Sequence, residues 1–311
     1  MTITRRKALG KPKHHAIRRT RGDVVFDVIN VFVVALITLT MIYPMWYIII
    51  VSIATPEEAA LGGIYLWPKT ISFEAYQNVF ENRDIWLSYA NTVLYTVAHT
   101  IYVLLLTIPA AYTLSKKQLP GRVVITWYFF ITMFLSGGLI PSYILNRNLG
   151  LVNSRWIMIL GMGIGYSNLI ITRTYLISTL PEELHEAAIM DGCRETRYLI
   201  SVVLPLSGAI IGVNALYYGA GHWNSYFSAM IYLTDRSKYP LQLILREILN
   251  ATTSSSVFEA AGSEAEKARQ MRVAEVIKYC SIIVSSIPLL VAYPFVQKSF
   301  VKGVMIGSIK G

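Results

Sequence analysis

The sequence predicts an all-α integral membrane protein with six transmembrane helices and both termini in the cytoplasm. Three observations carry this reading. The 311 residues are 54% hydrophobic and only 15% charged, with a mean hydropathy of +0.48, whereas soluble domains average about 25% charged. Six stretches lack Asp, Glu, Lys and Arg for long enough to cross a bilayer, which takes about 20 mostly apolar residues. The cations gather on one side of those stretches, and cation excess marks the cytoplasmic face.

A basic arm, residues 1–23, comes first; eight of the chain's 28 Lys and Arg fall within the first 21 positions. In a soluble protein the net charge of +10 would suggest nucleic acid. Ahead of an apolar run it reads as a cytoplasmic anchor, and no nucleic-acid partner is expected. The rest, 24–311, forms the membrane domain. Its uncharged runs are Val28–Pro56, Ile85–Ser115, Val123–Asn146, Trp156–Thr172, Tyr198–Thr234 and Tyr279–Gln297. They place spans at about 28–53, 88–113, 123–145, 156–178, 203–232 and 275–297. The first is no cleaved signal peptide, being about twice an h-region with no small-residue cleavage site after it. Outer segments are expected at 54–86 and 234–272, a cytoplasmic loop at 180–205, and a cytoplasmic tail at 299–311.

With the N-terminus inside, the cytoplasmic parts hold the eight arm cations plus Lys116, Lys117, Arg122, Arg194, Arg197, Lys298, Lys302 and Lys310. The short outer loops hold only Lys69, Arg83, Arg147 and Arg155. The segment Asp235–Arg272 is nearly balanced and adds no bias. Cys193 and Cys280 are too few for a disulfide framework and fall on the reducing side or within the membrane.

The loop at 180–205 is the most informative stretch. Thr179-Leu180-Pro181-Glu182 has the form of a capping box with a proline just inside the helix start. Glu182 and Glu183 suit the first turn, and Asp191-Gly192 ends the run where glycine permits a positive φ. A second short helix through Thr196 and Ile200 leads to Pro205. Helix, glycine turn, helix makes a compact finger. Glu186-Ala187-Ala188-Ile189-Met190-Asp191-Gly192, nine residues, then Val202-Val203-Leu204-Pro205 resembles the EAA loop of ABC-importer permeases. That resemblance implies the type I importer permease (MetI-like) fold, with the finger docked on an ATPase subunit. It assigns ATPase coupling to Glu186, Ala187, Ala188, Asp191, Gly192, Leu204 and Pro205. The small Ala187 and Ala188 would allow a partner's close approach.

The resemblance extends to the carbohydrate-uptake group through Leu66-Trp67-Pro68-Lys69, Ser72-Phe73-Glu74-Ala75-Tyr76, Asn91-Thr92 and His222-Trp223-Asn224-Ser225-Tyr226-Phe227. The ending Phe300–Gly311 resembles the MalG-like half of an oligosaccharide- and polysaccharide-associated branch found largely in Gram-positive bacteria. Membership implies a multi-pass protein of the bacterial cell membrane and an extended tail at Ser299–Gly311 that reaches the ATPase. It also implies a second, homologous permease, two ATP-binding subunits and an extracellular sugar-binding lipoprotein. ATP and magnesium would sit on the ATPase subunits; this chain would bind no cofactor or metal and catalyse nothing.

A sugar path needs hydroxyl-bonding and aromatic groups inside the spans. Span five supplies Asn214, Tyr217, Tyr218, His222, Trp223 and Asn224, with Tyr166 and Asn168 facing from span four. Asn214, Tyr218 and His222 repeat every four residues and form one stripe, which should face the bundle or a wet cavity. Helix-to-helix glue or an interfacial aromatic belt would explain the same residues. Gly161, Gly163 and Gly165 read as a close-packing face, and Arg173 as a side chain that snorkels to the cytoplasm. The outer segment holds a helix at Leu241–Leu249 and a polar patch at Thr252–Ser256.

No G-x-x-x-x-G-K-[ST], H-E-x-x-H or nucleophile–base pattern occurs, so nothing positive supports an enzyme. An ion-coupled secondary transporter of a small polar solute is the rival reading. It would call for internal repeats and mid-membrane charges; the halves show no clear repeat, and Asp and Glu are missing from mid-span.

Overall fold

A computed structural model describes residues 20–251 and 264–308, with side chains placed for 20–250 and 269–294. It is helical, and the described residues contain no strand beyond an isolated bridge between Ala54 and Ile71. The basic arm before Thr20, the Thr252–Ser256 patch and the last three residues lie outside the described part.

The chain divides into two units, 1–48 and 49–311. Helix α1, Arg21–Ser52, begins in the first. Its start is a reciprocal cap: Thr20 N–H donates to Asp23 Oδ2 (2.8 Å) and Asp23 N–H to Thr20 Oγ1 (3.3 Å). Its large apolar side chains from Val24 to Met45 are exposed, as lipid-facing residues should be.

In the second unit, α2 (Pro56–Leu61) and α3 (Glu74–Glu81) precede α4, Arg83–Ser115. Asn82 caps α4 by accepting from Asp84 N–H (3.0 Å). At about 1.5 Å per residue this helix is about 50 Å long, and α8 and α12 pack against it. Next come α5 (Arg122–Phe134), α6 (Leu139–Asn148), α7 (Arg155–Leu160) and α8 (Tyr166–Thr179). The finger is α9 (Glu182–Met190) with α10 (Glu195–Tyr198), a π turn at Leu199–Val203 and α11 (Leu204–Leu206). Helices α12 (Gly208–Trp223), α13 (Phe227–Tyr232), α14 (Leu241–Ala251) and α15 (Glu264–Ser308) complete the chain.

Two core clusters mark the ends of α4. One joins Ala111, Tyr112 and Leu114 to Leu169, Leu176, Tyr198 and Val203, beside the finger. The other joins Ile85 to Val79, Trp223, Leu241, Ile244 and Val276 at the far end.

Among the described residues, three helices are long and apolar enough to cross a membrane unbroken, Arg21–Ser52, Arg83–Ser115 and Arg269–Pro294. Several expectations are corrected. The third predicted span is two helices bent by 113° at Leu135–Gly138, where Gly138 takes φ +81°; the fifth bends by 80° at Ser207. Counting each bent pair as one span gives up to five. The glycine triplet is no packing face: Gly161–Gly165 is the non-helical break between α7 and α8, and nothing lies within 4 Å of a Cβ built on Gly163. Thr179 forms no capping box. It ends α8, Pro181 takes the N-cap position without a side-chain bond, and Thr179 Oγ1 is buried without a partner among the described residues. Arg173 donates Nε–H to the Leu114 carbonyl (2.9 Å), filling an orphan acceptor at the end of α4 rather than snorkelling. The segment expected as an extended tail continues α15 as helix to Ser308, since only Gly303 and Gly307 interrupt otherwise helix-compatible residues.

Candidate functional site: the finger and the span-five stripe

The finger is closed by its backbone. Cys193 N–H donates to Ala188 O (2.9 Å) and Gly192 N–H to Ile189 O (2.9 Å). With Gly192 at φ +73°, this is a Schellman turn. The motif therefore splits. Gly192 supplies the left-handed residue, and Ala188 supplies the carbonyl while its methyl packs, half-buried, on the core beside Cys193. Ala188 thus faces its own bundle, and Ala187 is the exposed one of the pair. Glu186, Ala187 and Asp191 are exposed, alongside Leu184, Ile189 and Met190, the last 87% exposed. In the second helix Leu204 is half-buried and Pro205 exposed. The π turn there, with Leu204 N–H on Leu199 O, widens the helix by one residue just ahead of the proline.

What anchors the finger was missed by the sequence reading. Glu195 accepts from the Tyr112 hydroxyl at the end of α4, meets His185 Nε2 at 2.7 Å and lies 3.7 Å from Lys116 Nζ. Lys116 also sits over the Tyr112 and Tyr198 rings, at 4.7 and 5.3 Å. Lys117 pairs with Glu182 at 2.7 Å. Partial burial raises the Glu195 carboxyl, but the Tyr112 and His185 hydrogen bonds and the Lys116 charge outweigh it and hold the pKa below the usual carboxylate value. The only sequence signal was a basic pair, Lys116-Lys117, across from Glu182 and Glu195; nothing local joins them.

The stripe on α12 faces inward, and its polar groups are occupied. Asn214, 1% exposed, donates Nδ2–H to Thr172 Oγ1 (2.7 Å), which donates to Asn168 O (2.6 Å). The Tyr218 hydroxyl accepts from Gly165 N–H and meets Thr107 Oγ1, both at 3.3 Å. His222 Nε2 meets the Met158 carbonyl at 2.7 Å, and its ring stacks on His99 at 4.5 Å. His99 Nδ1 in turn meets the Ile159 carbonyl at 2.8 Å. Met158 and Ile159 close α7, whose last carbonyls lose helical partners at the glycine break. Two histidines from neighbouring helices fill them. Trp223 is buried, donating Nε1–H to Ser285 O (3.1 Å) with its ring edge-on to Tyr89; it packs the core and forms no belt. Tyr217 is 55% exposed and off the stripe, and Asn224 is exposed beyond it. Tyr166 stands edge-on to Phe130 beside a cavity of about 320 Å³ that Arg122, Trp127 and Arg173 also line. The structure thus joins Asn214, Tyr218 and His222 to the wall of the bundle and leaves Tyr217, Asn224 and Tyr166 open. Among the described residues no cluster of His, Cys, Asp or Glu could hold a metal ion.

Residues 85–260 match the family described as binding-protein-dependent transport system inner membrane component. That match covers the finger, the stripe and most of the helices. The chain belongs to this family. It is therefore a non-catalytic permease subunit of an ABC importer and a multi-pass protein of the plasma membrane, working with ATPase and substrate-binding components. Among curated relatives, the permease is 36% identical over 302 residues to Protein LplC of Bacillus subtilis, covering 96% of this chain and 99% of that one. It is 35% identical over 288 residues to the polygalacturonan/rhamnogalacturonan transport system permease protein YtcP of the same species, covering 92% and 99%. The diacetylchitobiose uptake system permease protein NgcG of Streptomyces coelicolor is 25% identical, covering 93% and 91%. Among solved structures, a chain of a bacterial ABC transporter involved in the import of the acidic polysaccharide alginate superposes with a TM-score of 0.80 at 31% identity, covering 92% of this permease and all of that chain.

Proposed function

We propose that this permease is one of two homologous membrane subunits that together surround the path of an oligosaccharide, handed over by an extracellular binding lipoprotein. Two ATP-binding subunits hold the ATP and magnesium, and the finger seats in a groove on one of them. The carrying observation is the finger itself: a nine-residue helix closed by a Schellman turn, with Glu186, Ala187, Ile189 and Met190 open on its outer side. The names of the relatives support a carbohydrate oligomer as cargo. Six spans, with both termini on the finger's side, follow if α7 and α8 make one span broken at Gly161–Gly165; the distribution of Lys and Arg supports that orientation.

Mechanically, α10, the π turn and α11 run continuously from the finger into the 80° corner at Ser207 and so into α12. Closure of the ATPase pair moves the finger, and α12 swings with it to alternate access. The test is purification of this chain by a tag from its native membranes, with Ala187→Trp as the comparison. The expected result is that wild type brings down a second permease and an ATP-binding subunit, and that Ala187→Trp keeps the permease and loses the ATPase. A homo-oligomer without ATPase, or an unchanged complex in the variant, would refute finger docking.

A further inference from the structure

At the end of α12 remote from the finger lies a cavity of about 420 Å³, within the size range of small-molecule sites. Its wall is polar in an unusual way for this chain. Arg246 of α14 and Lys278 of α15 both line it, each half-buried, and neither has a carboxylate partner among the described residues. The neighbouring acid on α14, Glu247, is already paired with Arg236 at 2.7 Å. Arg246 sits over the Tyr226 ring, 4.9 Å from its centroid, and contacts the Met230 sulfur. Ser281, 3% exposed, lines the same cavity with a buried hydroxyl that has no partner among the described residues. The Gln242 amide there is likewise unbonded among them, and Asn224 spends only its Nδ2 on the Ala220 carbonyl (2.9 Å).

Two half-buried cations without a carboxylate partner among the described residues give the cavity a positive field that favours an anion. The neutral donors and acceptors beside them match hydroxyls, which a simple anion does not need. We propose that this cavity binds an acidic sugar unit of the cargo, its carboxylate between Arg246 and Lys278 and its hydroxyls on Gln242, Asn224 and Ser281. A guanidinium pairs with a carboxylate in bidentate fashion, the stronger kind of hydrogen bond. The inference rests on the permease reading and adds the charge class of the cargo and the place where it is read. An anionic lipid headgroup shares the charge, and the experiment separates the two.

The experiment uses the assembled transporter in lipid nanodiscs, titrated with trigalacturonate and with its carboxyl-reduced, neutral counterpart, in the absence of the binding protein. Wild type should bind the acid at least about tenfold more tightly than the neutral trimer. Arg246→Gln and Lys278→Gln should each erase most of that preference, weakening the acid far more than the neutral trimer. Arg246→Lys, which retains charge, should keep part of it, and Ser281→Ala should weaken both probes a few-fold. Equal affinity for the two trimers, or an acid preference that survives both Gln variants, overturns the site. So does the finding that wild type fails to bind trigalacturonate yet retains phosphatidylglycerol that Arg246→Gln loses; the occupant is then lipid. Failure of the permease reading is distinct: the purified complex then contains no ATPase subunit.

Discussion

The finger and the α12 stripe are both runs of polar residues at helical spacing, yet they spend their polarity in opposite ways. In the finger the backbone closes its own hydrogen bonds through the Schellman turn, so the side chains of Glu186 and Asp191 stay free on the surface. Along the stripe the backbone opposite is broken, and the side chains of Tyr218 and His222, with His99, fill what the break leaves open. A polar side chain inside a membrane bundle is thus evidence of a ligand path only where the neighbouring backbone is already satisfied.

The sharpest way to break this contrast is Gly192→Pro. Proline deletes the N–H that reaches Ile189 O and fixes φ near about −65°, where +73° is required. ATP-driven uptake should fall to background while ATP hydrolysis continues and the chain still inserts, read by vesicle transport beside phosphate release. Retained transport would remove the finger from the coupling role.

Next in size is His222→Ala. If the stripe closes the broken α7, leaving the Met158 carbonyl unpaired should cost about 1–3 kcal/mol and lower the thermal midpoint of the purified complex. Oligosaccharide affinity should not change. An affinity loss with an unchanged midpoint would make His222 a path residue and erase the distinction between the two regions.

The smallest effect concerns the anchor of the finger. The folded-state pKa of Glu195 is depressed, so its contribution is present above the ordinary carboxylate value and is lost as pH falls through the lower, folded value. The stability difference between wild type and Glu195→Gln should accordingly be constant from neutral pH down to about 4.5 and shrink below it. Thermal unfolding at a series of pH values reads this. A difference that instead shrinks between pH 7 and 5 would take the anchoring role away from the Glu195 carboxylate.

The finger was legible because capping rules are local. Asp191-Gly192 ends one helix and a second short helix follows through Thr196 whatever the rest of the fold does, and the structure has both. The bends were not. A hydropathy run adds residues along the chain without regard to direction, so Val123–Asn146 looked like one span although Gly137-Gly138 turns it by 113°. The glycine triplet was noticed and misassigned, because spacing alone cannot separate a packing face from a break. Thr179 matched a capping pattern but was already held in the preceding helix. The Tyr112–Glu195 and His99–His222 pairs bring together positions 83 and 123 residues apart, beyond any local pattern.

The corner at Ser207 also sets a gear ratio. From Glu195 to Leu206 the chain is a rigid arm of about 18 Å, and α12 beyond the corner is about 24 Å long. Bent by 80°, the two work as a crank: a push across the arm becomes a tilt of α12 rather than a slide along its axis. Under the proposed coupling, with Ser207 as the pivot, travel at the finger would be enlarged by about a third at Trp223, next in the chain to Asn224 of the cavity that Arg246 and Lys278 line.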